Sequence, residues 1–309
     1  MPFVDRLKDF PIVLEIVPPH RRASEKALET FVARVRQAVK AIPHLDAVNL
    51  PEVVDENHVG RPFRRNLDPR DCVRLINSHL GVDIIVNKVI VHLAGTQAVE
   101  SWVRESIDGH GLRNVVLVGG TSSRNRYPGP SVAEGNAAFF TATQGRRDVT
   151  CGNITIADRA GEVGRLLEKT RTGCQFFTSQ VLVEPEPMAS VLREYGEACA
   201  AEALQPATVL LSFAPVKDYD DVEFLTWLGA NITEETEDAL VGDGSTGGLA
   251  SLAVARSIFD RISGTLAASR HPVPLGVNVE EISLHNFDLA VKMATEVPSW
   301  RPRDLARKG

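Results

Sequence analysis

The sequence predicts an α/β protein folded as a single (β/α)₈ barrel, and three observations predict that fold class. Short apolar runs rich in β-branched residues alternate with longer amphipathic stretches, which is typical of parallel strands joined by crossover helices. Eight such strand and helix units follow one another, the number that closes a barrel. The first strand is not followed by the Gly-x-Gly-x-x-Gly turn of an open nucleotide-binding sheet.

The strand predictions rest on short apolar segments bounded by polar or turn-forming residues. Strands of a parallel barrel are buried on both faces, so near-continuous apolar runs are expected in place of strict alternation. The predicted strands are 11–17, 45–50, 83–91, 114–118, 149–156, 175–183, 207–213 and 273–279.

A helical pattern follows each strand. The predicted helices lie near 23–41, 69–80, 96–109, 134–144, 160–172, 186–203, 218–264 in pieces, and 284–296. No linker, shift in composition or longer repeat divides the chain. We therefore expect one TIM-barrel domain over 1–309, with a short solvated C-terminal tail from about residue 298.

Composition excludes several classes of protein. The net charge of -6 does not give the basic surface of a nucleic-acid binder. The cysteines Cys72, Cys151, Cys174 and Cys199 form no Cys-x-x-Cys pair, so neither a zinc site nor a redox dithiol is predicted. The N-terminus has no apolar signal core, and no run of about 18 apolar residues predicts a membrane span. We expect a cytoplasmic protein; no oligomeric state is predicted.

Glu15 is the most informative polar residue, because it interrupts the apolar first strand between Leu14 and Ile16. Burial raises the pKa of a carboxyl group, as a general acid near neutral pH requires. The pattern is equally compatible with a Glu that pairs with an Arg or Lys inside the barrel. Both interpretations place Glu15 near the C-terminal end of its strand, where barrels hold their catalytic groups.

His92 and Gln180 are polar residues at the ends of strands three and six. His92 follows an apolar run, where a lone histidine is more often structural than catalytic. The Gln180 amide can hold the edge of a heterocycle through paired donor and acceptor contacts. A hydrogen bond from that amide to the backbone explains the residue equally well.

Two glycine-rich segments follow later strands. Gly119 and Gly120 would let the backbone approach a flat ligand closely, although a tight turn explains them as well. The segment 242–248 precedes a helical pattern between strands seven and eight, where barrels often bind phosphate at a helix N-terminus. N-capping by Ser245 or Thr246 explains that segment more simply.

An arginine-rich stretch follows strand two, around Pro62 and Phe63. Such a stretch can receive phosphates or a glutamate tail. A solvated loop is the interpretation we favour. The arginines concerned are Arg61, Arg64, Arg65 and Arg70.

Four segments in register resemble the methylenetetrahydrofolate reductase family. LEIVPPH (14–20) is similar to its opening strand, with a Glu before a Pro-Pro pair, and VHLAGT (91–96) to its strand-three His-Leu segment. LRNVVLVGGTSS (112–123) resembles the fourth strand, and RLLEKTRTGCQFFTSQ (165–180) resembles the Lys-Gly-Gln segment. The similarity runs from about residue 11 to residue 297.

The resemblance implies an enzyme that reduces methylenetetrahydrofolate to methyltetrahydrofolate with NADH or NADPH, usually through bound FAD. Glu15 would be the general acid that protonates the leaving nitrogen of the folate ring. The implied substrate contacts are Gln180, Asn49, His92 and Thr121. The implied cofactor contacts are His92, Gly119, Gly120, Asn153 and Lys169.

Three family positions differ in this chain. Thr121 stands where the family has an Asp beside flavin and folate, and Leu50-Pro51-Glu52 replaces a Tyr-Gly-Ala segment. Gly152 aligns with a tyrosine that stacks on flavin. Because several flavin contacts differ together, we expect direct hydride transfer from the nicotinamide, with a tetrahydrofolate derivative and a nicotinamide nucleotide as the partners.

Two alternatives stay open at this point. One is a pterin-dependent methyltransferase barrel, which would use a methyl acceptor and no reductant. The other is a non-catalytic folate-binding homologue, which the replacement at Thr121 would allow.

Overall fold

A computed structural model of the chain describes residues 2–57, 61–76, 80–120, 125–242, 248–283 and 285–302. Eight parallel strands form a closed barrel, which confirms the predicted (β/α)₈ fold. In chain order they are β1 (Ile12–Glu15), β2 (Ala47–Leu50), β3 (Asp83–Val89), β4 (Asn114–Val118), β5 (Thr150–Thr155), β6 (Phe176–Val181), β7 (Thr208–Phe213) and β8 (Leu275–Glu280).

Each strand pairs in parallel with the next along the chain, and β8 pairs with β1 to close the barrel. All eight predicted strands are present, with ends that differ by a few residues. The closing register aligns Glu15 of β1 with Glu280 of β8 and with Asn49 of β2. Barrel closure therefore groups three polar side chains from distant parts of the sequence.

Helices cover the outside of the barrel and follow the predicted order. The capping box between Ser131 and Glu134 fixes the start of one of them, because it satisfies backbone donors at the helix N-terminus. The helices are Phe3–Arg6, Glu25–Ala41, Pro69–Ile76, Thr96–Arg104, Val132–Thr143, Glu162–Arg171, Glu186–Ala201, Tyr219–Trp227, Glu234–Val241, Leu249–Ala267 and Phe287–Glu296, with a π-helical turn at Glu105–Gly109 and a 3₁₀ turn at Val297–Trp300.

The barrel interior is apolar at its N-terminal end. The short helix Phe3–Arg6 was not predicted, and it closes this end of the barrel. Phe3 packs edge-to-face on Phe176, with ring centroids 5.4 Å apart, and its backbone N–H bonds to Asp83 at the start of β3. The interior cluster is Phe3, Leu7, Val13, Ala47, Ile85, Val116, Phe176 and Leu210.

Two further details differ from the sequence prediction. The stretch after β2 contains a short antiparallel ribbon of Asp55–Glu56 and Pro62–Phe63, where only a loop was predicted. The tail predicted to be solvated from about residue 298 is ordered at its start, because Trp300 is buried and packs on Phe213 and Phe259. All four cysteines are buried and free.

None of the helices in the described part of the chain combines the length and the apolar character needed to cross a bilayer.

Candidate functional site

Glu15 lies in a polar layer at the C-terminal end of the barrel interior. It is two residues beyond Val13, which belongs to the interior apolar cluster, so the alternation of a strand turns both side chains inward. The Asn49 side-chain amide donates a 2.6 Å hydrogen bond to the Glu15 carboxyl group. No described Arg or Lys forms a salt bridge with Glu15, which argues against the interpretation that it pairs with an interior cation.

Glu280 is the second carboxyl group of this layer, and sequence reasoning did not assign it a role. The Asn278 amide donates to Glu280 at 3.2 Å and to the Ser212 hydroxyl at 3.1 Å. Glu280 and Glu15 are aligned on neighbouring strands. Two half-buried carboxyl groups therefore share this end of the barrel, and the Asn278 amide contacts both of them.

Burial shifts both carboxyl groups toward the protonated form. Burial raises the pKa of Glu15 well above its ordinary value, and the negative charge of Glu280 raises it further. Burial also raises the pKa of Glu280 to about 7, although hydrogen bonds from Ser212 and Asn278 oppose this shift. At neutral pH the pair therefore retains a proton, because two close carboxylates in a poorly solvated site do not both ionise readily.

Three buried amide oxygens at inward-facing strand positions have no hydrogen-bond donor among the described residues. They belong to Asn49, Asn87 and Asn278. Asn87 lies two residues beyond Ile85 of the interior cluster, so it also faces the barrel interior. A buried acceptor with no donor is costly, so this layer suits a ligand that supplies several N–H groups.

Glu52 follows β2 and joins the end of β3 to the segment that follows the antiparallel ribbon. It accepts hydrogen bonds of 2.7 Å from Lys88 and 2.7 Å from Arg64, and one of 2.8 Å from the backbone of Val89. The carboxylate of Glu52 and the ammonium of Lys88 are both buried. A buried ion pair thus occupies the position at which the resemblance to methylenetetrahydrofolate reductases implies a Tyr-Gly-Ala segment.

His92 lies at the same end of the barrel, with a buried side chain. Its Nε2 is 3.0 Å from a carboxylate oxygen of Glu56, and its ring packs edge-to-face against Tyr127. Tyr127 also donates to Glu56 at 3.2 Å. His92, which was predicted as a substrate and cofactor contact, is thus held in place by Glu56 of the antiparallel ribbon and by the Tyr127 ring.

Gln180 lies at the end of β6 and is half-buried. Its side-chain amide donates a 2.9 Å hydrogen bond to the backbone oxygen of Leu228. The contact to Leu228 uses only the nitrogen of the Gln180 amide and holds the side chain in place. The oxygen of the same amide can still accept a hydrogen bond from a ligand.

Three of the predicted cofactor residues, Gly119, Gly120 and Lys169, line one cavity of about 310 Å³ beside β4 and β5. The Lys169 ammonium donates a 2.8 Å hydrogen bond to the backbone oxygen of Ile154, and burial lowers its pKa. The Tyr127 ring covers Gly120, since a Cβ atom built there would lie 2.1 Å from the ring. An aromatic side chain of the protein thus occupies the surface that a flat ligand would use.

Asn153, also predicted as a cofactor contact, points out of the barrel. It is fully buried, and it exchanges hydrogen bonds of 2.9 Å and 3.0 Å with Asn136 of the helix layer. This placement gives Asn153 a structural role and no open surface for a cofactor. The alternation of strand residues could have indicated it, because Gly152 faces inward and the next residue faces outward.

Side chains of the protein occupy two of the positions at which the resemblance implies flavin contacts. At Gly152 an added Cβ atom would lie 2.4 Å from the Phe176 ring, so that ring fills the space beside Gly152. Tyr127 covers Gly120, and Asn153 faces away. Thr121 lies outside the described residues, as does most of the segment 242–248, so the predictions at these positions stay predictions.

A larger cavity of about 770 Å³ lies between the loops after β1 and β8 and the helix Glu25–Ala41. Its wall includes Val17, two residues after Glu15, and Glu281, which directly follows Glu280. Glu281 pairs with Arg34 at 2.5 Å. Sequence reasoning missed this cavity, because it forms between segments from opposite ends of the chain.

Comparison with known proteins supports the barrel fold of this chain but does not assign the chain to a family. No protein-family model and no curated protein matches the sequence. A protein from Clostridium thermocellum, described as binding two copies of 5-methyl-5,6,7,8-tetrahydrofolic acid, is similar in structure, with a TM-score of 0.75 and 15% identity over 96% of this chain and 98% of that one.

A second similar structure is a type II Baeyer-Villiger monooxygenase. It is the oxygenating constituent of 3,6-diketocamphane monooxygenase from Pseudomonas putida, in complex with FMN. The TM-score is 0.56 and the identity 9%, over 94% of this chain and 98% of that one. At these identities the likeness concerns the barrel fold, and the site has to be argued from its own residues.

Proposed function

We propose that this chain binds a tetrahydrofolate derivative at the C-terminal end of the barrel and reduces it with NADH or NADPH. The observation that supports the proposal is the Glu15 carboxyl group, which burial and the neighbouring Glu280 favour in its protonated form. A protonated acid inside a polar layer suits a reaction that consumes one proton in each turnover. The resemblance to methylenetetrahydrofolate reductases assigns the same role to Glu15.

In the proposed reaction the five-membered ring of methylenetetrahydrofolate opens. The bond between the bridging carbon and one nitrogen breaks, and Glu15 gives its proton to that nitrogen. The iminium left at the other nitrogen accepts a hydride from the nicotinamide and becomes a methyl group. Glu15 then takes a proton from solvent, so the sum is one hydride and one proton added to the folate.

The polar layer supports a reduced pterin as the ligand. A tetrahydropterin presents several N–H groups, and the free amide oxygens of Asn49, Asn87 and Asn278 are acceptors that need such donors. The similar Clostridium thermocellum protein is described as binding two copies of a methylated tetrahydrofolate. That description supports folate as the class of ligand.

We propose direct hydride transfer, with the nicotinamide and the folate bound together. The positions around Gly120 and Gly152 that would contact a flavin are filled by the rings of Tyr127 and Phe176. An iminium accepts a hydride without an electron relay. The protein then supplies proximity, a positioned acid and exclusion of water.

An absorbance experiment tests this proposal. The purified protein is mixed with NADH, and then with methylenetetrahydrofolate, while absorbance is followed from the near ultraviolet to 500 nm. We expect NADH oxidation only after folate is added, with no flavin band between 400 and 500 nm. A flavin band that NADH bleaches and folate restores would contradict direct transfer.

A non-catalytic folate-binding protein is the second candidate, because the similar Clostridium protein is described by what it binds. In that case folate would quench the intrinsic fluorescence of the protein, but NADH would not be consumed. The same mixing experiment, with fluorescence recorded in parallel, separates the two functions.

A further inference from the structure

The 770 Å³ cavity has the size of a small-molecule site, and the proposed function does not use it. It lies between the loops after β1 and β8 and the helix Glu25–Ala41. Ligand cavities in proteins commonly have volumes of about 300–1,000 Å³, mostly apolar walls and a few polar groups that orient the ligand. Pro18, Phe31 and Ile282 supply apolar surface here, and Glu281 and Ser283 supply polar groups.

Glu281 lines this cavity from the side of the barrel wall that faces the helices. Its backbone N–H still bonds to the backbone oxygen of Glu15 at 3.0 Å, so the pairing of β8 with β1 continues to this residue. Successive residues of a strand face opposite sides, and Glu281 follows the inward-facing Glu280. Its carboxylate accordingly pairs at 2.5 Å with Arg34 of the helix Glu25–Ala41. Glu281 therefore belongs to a different surface from the carboxyl pair.

Two polar atoms of the cavity wall have no hydrogen-bond partner among the described residues. They are Oε2 of Glu281 and Oγ of Ser283. The Glu281 side chain is only 2% exposed, so solvent reaches it poorly. Because a buried acceptor without a donor is costly, the wall suits a ligand that offers an N–H group to Glu281.

The contacts of Arg34 explain why Glu281 keeps one oxygen available. The guanidinium lies over the Phe287 ring, 4.1 Å from its centroid, and donates from Nη2 to Oε1 of Glu281. This contact engages one carboxylate oxygen, whereas a forked pair engages both. Arg34 also balances the charge of Glu281, so the ligand has to supply a donor but no positive charge.

We propose that this cavity is a second ligand site, which binds a neutral heteroaromatic amine. The flat ring lies against the apolar wall that contains Pro18 and Phe31. Its amino group donates to Oε2 of Glu281, and the ring nitrogen beside the amino group accepts from the Ser283 hydroxyl. The inference does not depend on the proposed function, because Glu15 and Glu280 take no part in this site.

Adenine and pterin rings both carry this edge of amino group and ring nitrogen, so the test must separate two sources. Isothermal titration calorimetry measures the dissociation constants of adenosine and of 6-methylpterin. Purine riboside, which is adenosine without its amino group, is the ligand control.

Two variants and one matched control test the location of the site. Ala27→Phe adds a ring to a residue that lines the cavity. Glu281→Gln leaves one acceptor oxygen, which Arg34 engages, and turns an N–H group toward the ligand. The control is Ala33→Phe, which adds the same ring at an exposed position of the same helix.

We expect the wild type and Ala33→Phe to bind adenosine or 6-methylpterin and to discriminate against purine riboside. Ala27→Phe and Glu281→Gln should each weaken this binding about tenfold or more, which corresponds to about 1.4 kcal/mol. Because Ala27 is exposed, Ala27→Phe should fold and keeps the test valid even if Glu281→Gln does not fold. Binding of adenosine would identify a nucleotide as the source of the ring, and binding of 6-methylpterin would identify a second pterin.

Other outcomes would overturn the inference without touching the proposed function. Binding of neither adenosine nor 6-methylpterin, or equally tight binding of purine riboside, would remove the amine site. Binding of 6-methylpterin that Glu15→Gln weakens and Ala27→Phe leaves unchanged would place the pterin in the polar layer instead. Conversely, adenosine binding with the expected losses, in a protein that does not oxidise NADH with folate, would keep this site and remove the proposed function.

Discussion

At the scale of single residues, the candidate site is centred on Glu15 and on an environment that favours its protonated form. Asn49 and Asn278 donate hydrogen bonds to it, and Glu280 adds a second acidic group. The hydrogen bonds lower the pKa of Glu15, but burial and the like charge outweigh them. The carboxyl group is thus suited to donate a proton, which a carboxylate at its ordinary pKa could not do near pH 7.

Replacement of Glu15 by Gln tests the proposed acid directly. The amide has nearly the same shape but no proton of suitable acidity, so we expect kcat to fall by about 10²–10⁴-fold. The dissociation constant of tetrahydrofolate should change little, because the amide still fills the site. Steady-state NADH oxidation and fluorescence titration measure the two effects; unchanged turnover would remove Glu15 from the mechanism.

Replacement of Glu280 by Gln tests the coupling between the two carboxyl groups. Without the negative charge of Glu280, the pKa of Glu15 should fall. Activity that depends on protonated Glu15 should then be lost at a lower pH than in the wild type. The control is Glu281→Gln, which removes a neighbouring carboxylate that pairs with Arg34 of the helix Glu25–Ala41. An identical pH profile for the wild type and Glu280→Gln would contradict the coupling.

At the scale of single elements, alternation along each strand decides which side chains reach the site. On β5, Gly152 lies against the interior ring of Phe176, and Asn153 bonds to the helix layer. A cofactor contact was predicted for Asn153 from the resemblance, without regard to this alternation. Successive residues of a strand place their side chains on opposite faces, so a prediction that is off by one residue assigns the wrong face.

The tight packing at β5 gives a stability prediction. Gly152→Ala places a Cβ atom 2.4 Å from the buried Phe176 ring, so we expect a loss of about 1–3 kcal/mol in the free energy of unfolding. Gly164→Ala is the matched control, because its Cβ atom meets nothing within 4 Å on the helix Glu162–Arg171. Urea unfolding should show the control unchanged or stabilised by up to about 1 kcal/mol. Equal stability of both variants would show that Phe176 moves freely.

At the scale of the whole molecule, closure of the barrel joins the first and last strands. Glu15 and Glu280 come from opposite ends of the chain, and they meet only because β8 pairs with β1. The two carboxyl groups of the candidate site are therefore brought together only in the folded protein. Their shared proton links folding to pH.

The pH dependence of stability tests that link. The pKa of Glu280 rises from 4.5 to about 7 on folding, and that of Glu15 rises as well. Between pH 4.5 and pH 7 the folded protein keeps a proton on Glu280 that the unfolded chain has released. The free energy of unfolding therefore decreases as the pH rises through this range. From pH 5 to pH 8 the wild type should lose on the order of 1–3 kcal/mol more than Glu15→Gln/Glu280→Gln.

Urea unfolding of the two proteins at pH 5 and pH 8 measures this difference. Other groups titrate in both proteins and cancel in the comparison. If the wild type and the double variant lose the same stability over this range, the two carboxyl groups do not hold extra protons in the folded state.

The sequence by itself determined the barrel, the order of its strands and the placement of Glu15 at the end of the first one. These features follow from local hydrophobic periodicity, which each segment contains on its own. Only the tertiary structure decided that Glu280 is aligned with Glu15, that Tyr127 covers Gly120 and that a 770 Å³ cavity forms between the loops after β1 and β8. Those contacts join residues far apart in the chain, and no local pattern specifies them, because they depend on barrel closure and loop packing.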